Sequence, residues 1–229
     1  PSASGDARKV AALLGIRHIV HDVSGVFSEK VITYFCDEYG SGRTPNPCVM
    51  CNKHVKFGEL LRLARELGAA ALATGHYART GVDPATGRRL LLKACDPAKD
   101  QSYVLYTLGQ DQLGAAVFPL GGMAKREVRA VAGRLGLPVA EKPESQETCF
   151  IAGDYRDFLE RRCPAGARPG PIVDSAGNVL GTHRGLGFYT IGQRKGLGLA
   201  VGQPMYVIAL DRGNNTLVVG PSWETLSWG

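Results

Sequence analysis

The sequence predicts an α/β protein in two parts, a parallel sheet covered by helices followed by a small β-rich unit. Three observations carry this. A helix, a glycine and an apolar run follow one another three times within the first 140 residues. That grammar stops near Cys163, after which short β-rich runs alternate with Gly, Pro and Asn. The 229 residues are 44% hydrophobic and 21% charged, a globular composition with ample material for a core.

The elements follow in order. Asp6 to Leu14 reads as a helix with Asp6 as N-cap, Val10, Leu13 and Leu14 on one face, and Gly15 as its stop. Ile16 to Val23 reads as a strand interrupted by His18 and His21. Phe57 to Leu67 is helical, with Leu60, Leu61, Leu63 and Ala64 apolar and Gly68 ending it, and AAALATGH (69–76) reads as a buried strand. Lys125 to Leu135, stopped by Gly136 and followed by Leu137 to Val139, is the third copy. Helix and strand units in series imply a parallel sheet with helices on its faces. Beyond the composition shift, Met205 to Leu210 and Thr216 to Val219 flank DRGNN as a β-hairpin. The expected domains are 1–162 and 163–229.

Composition narrows the function. No apolar run approaches the ~20 residues that span a bilayer, so no membrane association is expected and a cytoplasmic location is. Of 27 basic and 21 acidic residues, seven basic and only three acidic ones fall after residue 160. A basic excess at one end suits a polyanion such as nucleic acid, and equally suits a solvated basic surface. Six glycines between 185 and 202 accompany Arg194 and Lys195, either to wrap a phosphate backbone or to make a tight β-corner. The six cysteines (36, 48, 51, 95, 149, 163) are expected as reduced thiols in a chain too large to need staples. A zinc site built on Cys48 and Cys51 would need two further ligands at short spacing, and the other cysteines lie far off.

The residues with chemistry sit in loops. In GRTPNPCVMCNKHVKFG (42–58) two prolines stiffen a segment carrying Asn46, Pro47, Cys48 and Cys51. Cys51 lies near the predicted start of a helix with Lys53 and Lys56 following, and both features favour thiolate over thiol. Gly75 and His76 follow an apolar strand, where ligands of open parallel sheets bind. Lys99, Asp100 and Gln101 occupy a further loop, and Cys149 stands among polar residues as a candidate second thiol.

Together, GRTPNPCVMCNKHVKFG, ATGHYAR, KDQSYVLYTL, FPLGGMAKREVR, SQETCFI and FYTIGQRKGLG resemble, in order, the signature blocks of tRNA-specific 2-thiouridylases. The resemblance implies a PP-loop ATPase-like (adenine nucleotide alpha hydrolase-like) α/β domain, N-terminally incomplete, before a small β domain that supports tRNA. It implies ATP and Mg2+ as cofactors, with adenylation of the 2-oxygen of the tRNA wobble uridine. Sulfur then arrives as a persulfide on Cys149, supplied by a persulfide-carrying donor protein, and Cys51 releases it, leaving a Cys51–Cys149 disulfide to be reduced. By the same resemblance Gly75 binds nucleotide, Asn46, Pro47 and Cys48 contact the target base, and His76, Lys99, Asp100 and Gln101 contact tRNA.

The sequence departs from the family in two places. Some members carry an acidic residue, a candidate general base, where Cys48 stands. The Ser-Gly-Gly-x-Asp-Ser type phosphate loop that opens the family, and the β-barrel that closes it, have no counterpart in these residues. The expectation is therefore weak ATP binding and little turnover by the chain alone. The alternative from another class is a non-catalytic tRNA-binding module on the same fold.

Overall fold

A computed structural model of the chain describes residues 3–41, 43–138, 148–151 and 155–226. They divide into two compact units, one formed by residues 1–31 and 48–146 and the other by residues 32–47 and 147–229. The helix Tyr155–Arg162, placed by the sequence reading in the first domain, packs with the second unit, where Leu159 is fully buried in its core. Among the described residues no helix is long and apolar enough to cross a membrane.

In the first unit the three glycine stops operate as expected. Gly15, Gly68 and Gly136 adopt φ of +64°, +80° and +61°. In each case the residue after the glycine donates its N–H to the carbonyl five positions earlier: Ile16 to Ala11, Ala69 to Ala64, Leu137 to Ala132. This closure needs a left-handed residue, which glycine adopts without a Cβ penalty. The helices they end are Ala3–Leu13, Leu61–Glu66 and Lys125–Arg134.

The strands differ from expectation. Strands β1 (Leu72–Ala73), β2 (Ala78–Val82), β3 (Arg89–Lys93) and β4 (Ala116–Val117) make two separate two-stranded sheets. β1 lies parallel to β4, with Leu72 opposite Ala116, and β2 pairs antiparallel with β3. Residues 16–23 form no strand, and Ile16, Ile19 and Val20 are 59%, 44% and 69% exposed. Of AAALATGH only two residues are extended in a sheet, and Ala69 to Ala71 are exposed. An apolar run is buried only where another element covers it, and among the described residues nothing covers these. The core lies instead under the β2–β3 hairpin, built from Val49, Phe57, Ala78, Val104, Leu105, Leu108, Leu113, Ala116 and Phe118.

The helix predicted from Phe57 starts ten residues earlier. Pro47–Met50 is α-helical, Cys51–Leu60 follows as a wider π-type helix and Leu61–Glu66 completes it. Pro47 occupies the first helical position, where its missing N–H costs nothing.

In the second unit, strands β5 (Gly170–Val173), β6 (Val179–His183), β7 (Tyr206–Asp211) and β8 (Thr216–Gly220) form one sheet in the order β6-β5-β8-β7. The expected hairpin is β7–β8, turned through Asn215 at φ +50°. The core collects Ile172, Val207, Leu217 and Val219 from the sheet with Leu159 and Phe35 from helices. Phe35 meets Tyr39, Phe150 and Phe158 edge-on. The glycine-rich loop is a tight corner: Gly185, Gly192, Gly196, Gly198 and Gly202 all have positive φ. Hydrogen bonds from Gly192 N to Val207 O and from Val207 N to Gln193 O fasten it to β7.

The expectation of six reduced thiols is corrected here. Cys36, on the helix Thr33–Gly40, and Cys163, just after the helix Tyr155–Arg162, form a disulfide with Cα atoms 4.9 Å apart. Packing of the two helices in one core brings together residues 127 positions apart, which spacing alone does not reveal. Cys48, Cys51, Cys95 and Cys149 form no disulfide.

Candidate active site

A pocket of about 400 Å³ opens in the first unit at the end of β1. Leu72 and Ala73 of β1 form one wall, Thr74, Gly75 and His76 continue from it, Lys56 and Leu60 come from the helix, and Gln101 comes from the following loop. This is the position where open parallel sheets take ligands, beyond the carboxyl end of a strand.

His76 is buried at 7% exposure, between Phe57 and Phe118. Its Nε2 lies 3.3 Å from the Lys56 ammonium and its Nδ1 lies 2.8 Å from Thr74 Oγ1. An ammonium can only donate, so Nε2 accepts from Lys56 and Nδ1 carries the proton toward the threonine. Burial first, then the Lys56 charge, pulls the imidazole down to about 4 from the usual 6.5. The ring is therefore a neutral, fixed tautomer near pH 7, and among the described residues Lys56 is the single charged residue of the lining.

Gly75 is exposed, and a Cβ added there would meet only Leu120 Cδ1, at 3.8 Å. Packing within the chain thus leaves room for a side chain, and the glycine leaves that edge of the pocket open. Among the described residues the lining offers one cation, an open glycine edge and no carboxylate, a set that fits an anionic nucleotide. No carboxylate among the described residues lines this pocket for Mg2+, which would enter on the phosphates.

The structure thus brings together Gly75, His76 and Gln101. Gln101 is held from both ends, its N–H on Tyr77 O and its Oε1 accepting from Tyr77 N. Asp100 belongs to the same loop but spends its carboxylate on Ala94 N, Ser102 N and Ser102 Oγ, fixing the turn. Burial pushes its carboxyl up most strongly of any one cause, and those bonds together with the Lys93 charge outweigh it and hold the group below the usual range. Lys99 is half-buried, with its N–H on Asp96 O.

Cys51 opens the π-type segment, half-buried, and Lys56 follows one wide turn later on the same helix. Because the helix begins at Pro47, Cys51 lies a turn inside it rather than at its N-terminus, and the dipole argument weakens. Cys48 is exposed in the first turn; Asn46 is exposed and Pro47 half-buried, both belonging to the second unit. Cys149 also belongs to the second unit, exposed, beside Phe150, whose ring is anchored on Phe35 and Phe158. The preceding Ser145, Gln146 and Glu147 of that motif lie outside the described residues.

Three residues escaped the sequence reading. Thr74 and Lys56 fix His76, although Lys56 had been assigned only to the cysteine. Asn52, 1% exposed, donates to Val104 O at 3.0 Å and ties the cysteine helix to the loop after Gln101. A buried Asn beside Cys51 was the available signal, but its partner is 52 positions away.

The tRNA methyl transferase HUP domain family matches residues 1–153, and the tRNA methyl transferase PRC-barrel domain family matches residues 156–221. The chain is 55% identical over 222 residues to the tRNA-specific 2-thiouridylase MnmA of Heliobacterium modesticaldum, covering 96% of this chain and 58% of that protein. The protein of the same name from Moorella thermoacetica is 54% identical over 219 residues, 95% of this chain and 61% of its own length. That of Desulforudis audaxviator is 52% identical over 222 residues, 96% and 64%. The chain therefore spans about three fifths of the length of these relatives.

Proposed function

This chain belongs to the tRNA methyl transferase HUP domain family, and from that premise we propose that it serves tRNA 2-thiolation, converting a wobble uridine to 2-thiouridine. The single observation that carries the reading is that Cys51 and Lys56 share one helix, with Lys56 reaching His76 inside the pocket beside Gly75. A nucleotide site and a thiol are thus held by one rigid element. Methyl transfer, the chemistry in the family's name, gives no role to two separated thiols, whereas sulfur transfer does.

ATP, when bound at Gly75, supplies the adenylyl group that makes the uracil 2-oxygen a leaving group. The residues do the rest. Lys56 offers its remaining N–H donors to anionic oxygen, and its charge adds to burial in keeping the His76 imidazole neutral. Cys149 carries sulfur as a persulfide delivered by a donor protein. Cys51 thiolate attacks the Cys149 sulfur, forming a Cys51–Cys149 disulfide and expelling hydrosulfide, which replaces the activated oxygen at C2. A two-electron reductant then restores both thiols. Asn46, Pro47 and Cys48 contact the splayed base and Lys99 and Gln101 the tRNA, while Asp100 holds their loop. The basic stretch after residue 160, with seven basic and three acidic residues, supports the phosphate backbone, and the chemistry takes place in the cytoplasm.

The test is thiolation of unmodified tRNA by an enzyme containing these residues, supplied with ATP, Mg2+ and a persulfide donor. Cys51→Ala and Cys149→Ala each abolish 2-thiouridine while leaving tRNA affinity within about twofold. Full thiolation by either variant overturns the reading.

A further inference from the structure

Two tyrosines stand out from the aromatic residues of the first unit. Phe57, Tyr77 and Phe118 are buried, whereas Tyr103 and Tyr106 are 63% and 70% exposed. Both project from the loop that follows Gln101, and the backbone beneath them is fixed. Ser102–Val104 is a 3₁₀ turn, with Val104 N on Gln101 O, Leu105 N on Ser102 O and Leu108 N on Leu105 O. Val104, Leu105 and Leu108 are built into the core, and Asn52 clamps the Val104 carbonyl from below.

These i to i+3 bonds hold the backbone in tight turns from Gln101 to Leu108. Val104, Leu105 and Leu108 supply the buried side of this turn, and Tyr103 and Tyr106, three apart, supply its outer side. Large rings held at the surface by a rigid base cost little further ordering when they bind. Gln101, two residues before Tyr103, lines the pocket with Lys56 and His76, and Lys99 precedes it. The two acids of the loop are both engaged, Asp100 by three hydrogen-bond donors and Asp96 by the N–H groups of Ala98 and Lys125. Flat rings with cations close by and no uncommitted acid suit a single-stranded polyanion whose bases have open faces.

We propose that Tyr103 and Tyr106 form a stacking platform for unpaired nucleobases of an RNA loop, next to the base delivered to the pocket. The inference rests on the tRNA reading above and deepens it, because the platform recognises unstacked bases rather than duplex. Stacking of this kind is tolerant of sequence, so the platform selects a loop and leaves base identity to the pocket.

The test compares binding of the full chain to a short RNA hairpin with an unpaired loop and to a blunt RNA duplex of equal charge. Tyr103→Ala with Tyr106→Ala weakens hairpin binding by roughly ten- to a hundredfold, duplex binding stays unchanged, and the double Phe variant binds as the original does. Quenching of tyrosine fluorescence in the unsubstituted chain by the hairpin, absent with duplex, reads the same contact without relying on a variant's folding. Unchanged hairpin affinity in the alanine variant, with no quenching, overturns the platform and leaves the tRNA reading standing. A chain that binds neither RNA overturns both. Loss of donor-protein binding at unchanged RNA affinity overturns the platform by assigning the rings to a protein interface.

Discussion

At the scale of single residues, two buried histidines make the molecule sensitive to acid. His76 is held neutral to about 4, and burial likewise pulls His183 below its usual value, against the opposing effect of its bond to Asn215 O. The His183 ring accepts from Gly185 N on Nδ1 and donates from Nε2 to Asn215 O, so protonation would set two hydrogens against each other. An unfolded histidine takes up a proton near 6.5, which the folded sites refuse. Their contribution is complete above that value and is lost progressively as pH falls, for His76 toward about 4. The melting temperature should therefore drop between pH 7.5 and pH 5, before most carboxylates titrate. Lys56→Met isolates the smaller of the two causes at His76. Its titration, followed by NMR of the ring protons, should move upward yet stay below 6.5, because burial remains. Gly75 and His76 were legible in the sequence through their motif. The Lys56–His76 contact was not, because it joins two elements 20 positions apart that only the tertiary fold aligns.

Among the elements, the punctuation and the β7–β8 hairpin were read correctly and the strands of the first unit were not. Gly15, Gly68 and Gly136 stop helices through local backbone geometry, which nearest neighbours dictate. Residues 16–23 failed as a strand because a strand needs a partner, and partnership is not local. The β2–β3 hairpin was overlooked for the opposite reason: its pairing is local, but Arg79, Thr80, Arg88 and Arg89 masked the alternation. What holds this hairpin in place is a backbone contact. A Cβ on Gly121 would lie 1.6 Å from Ala78 O, the carbonyl of a fully buried residue at the start of β2. Gly121→Ala should therefore cost about 3 kcal/mol or more, read from thermal or urea unfolding. Gly122→Ala, whose Cβ meets nothing within 4 Å, should be near neutral.

For the whole molecule, the change of grammar near Cys163 correctly announced a second, β-rich unit. The detour of residues 32–47 into that unit was invisible, because nothing in the helix Thr33–Gly40 names the surface its Phe35 will meet. The same detour sets Cys36 against Cys163. Cys36→Ser or Cys163→Ser should lower stability by roughly 2–4 kcal/mol. The difference should vanish when the unsubstituted chain is measured under thiol reductant.

The Cys36–Cys163 bond also turns the polymer into a ring. Both strands of the β1–β4 pair, the pocket and the two tyrosines belong to the stretch it encloses, so a protease that nicks any exposed turn there severs the backbone without releasing a fragment. The β2–β3 turn at 84–87 is such a place. Cut once at that point, the protein should migrate as one species in non-reducing electrophoresis and as two after reduction.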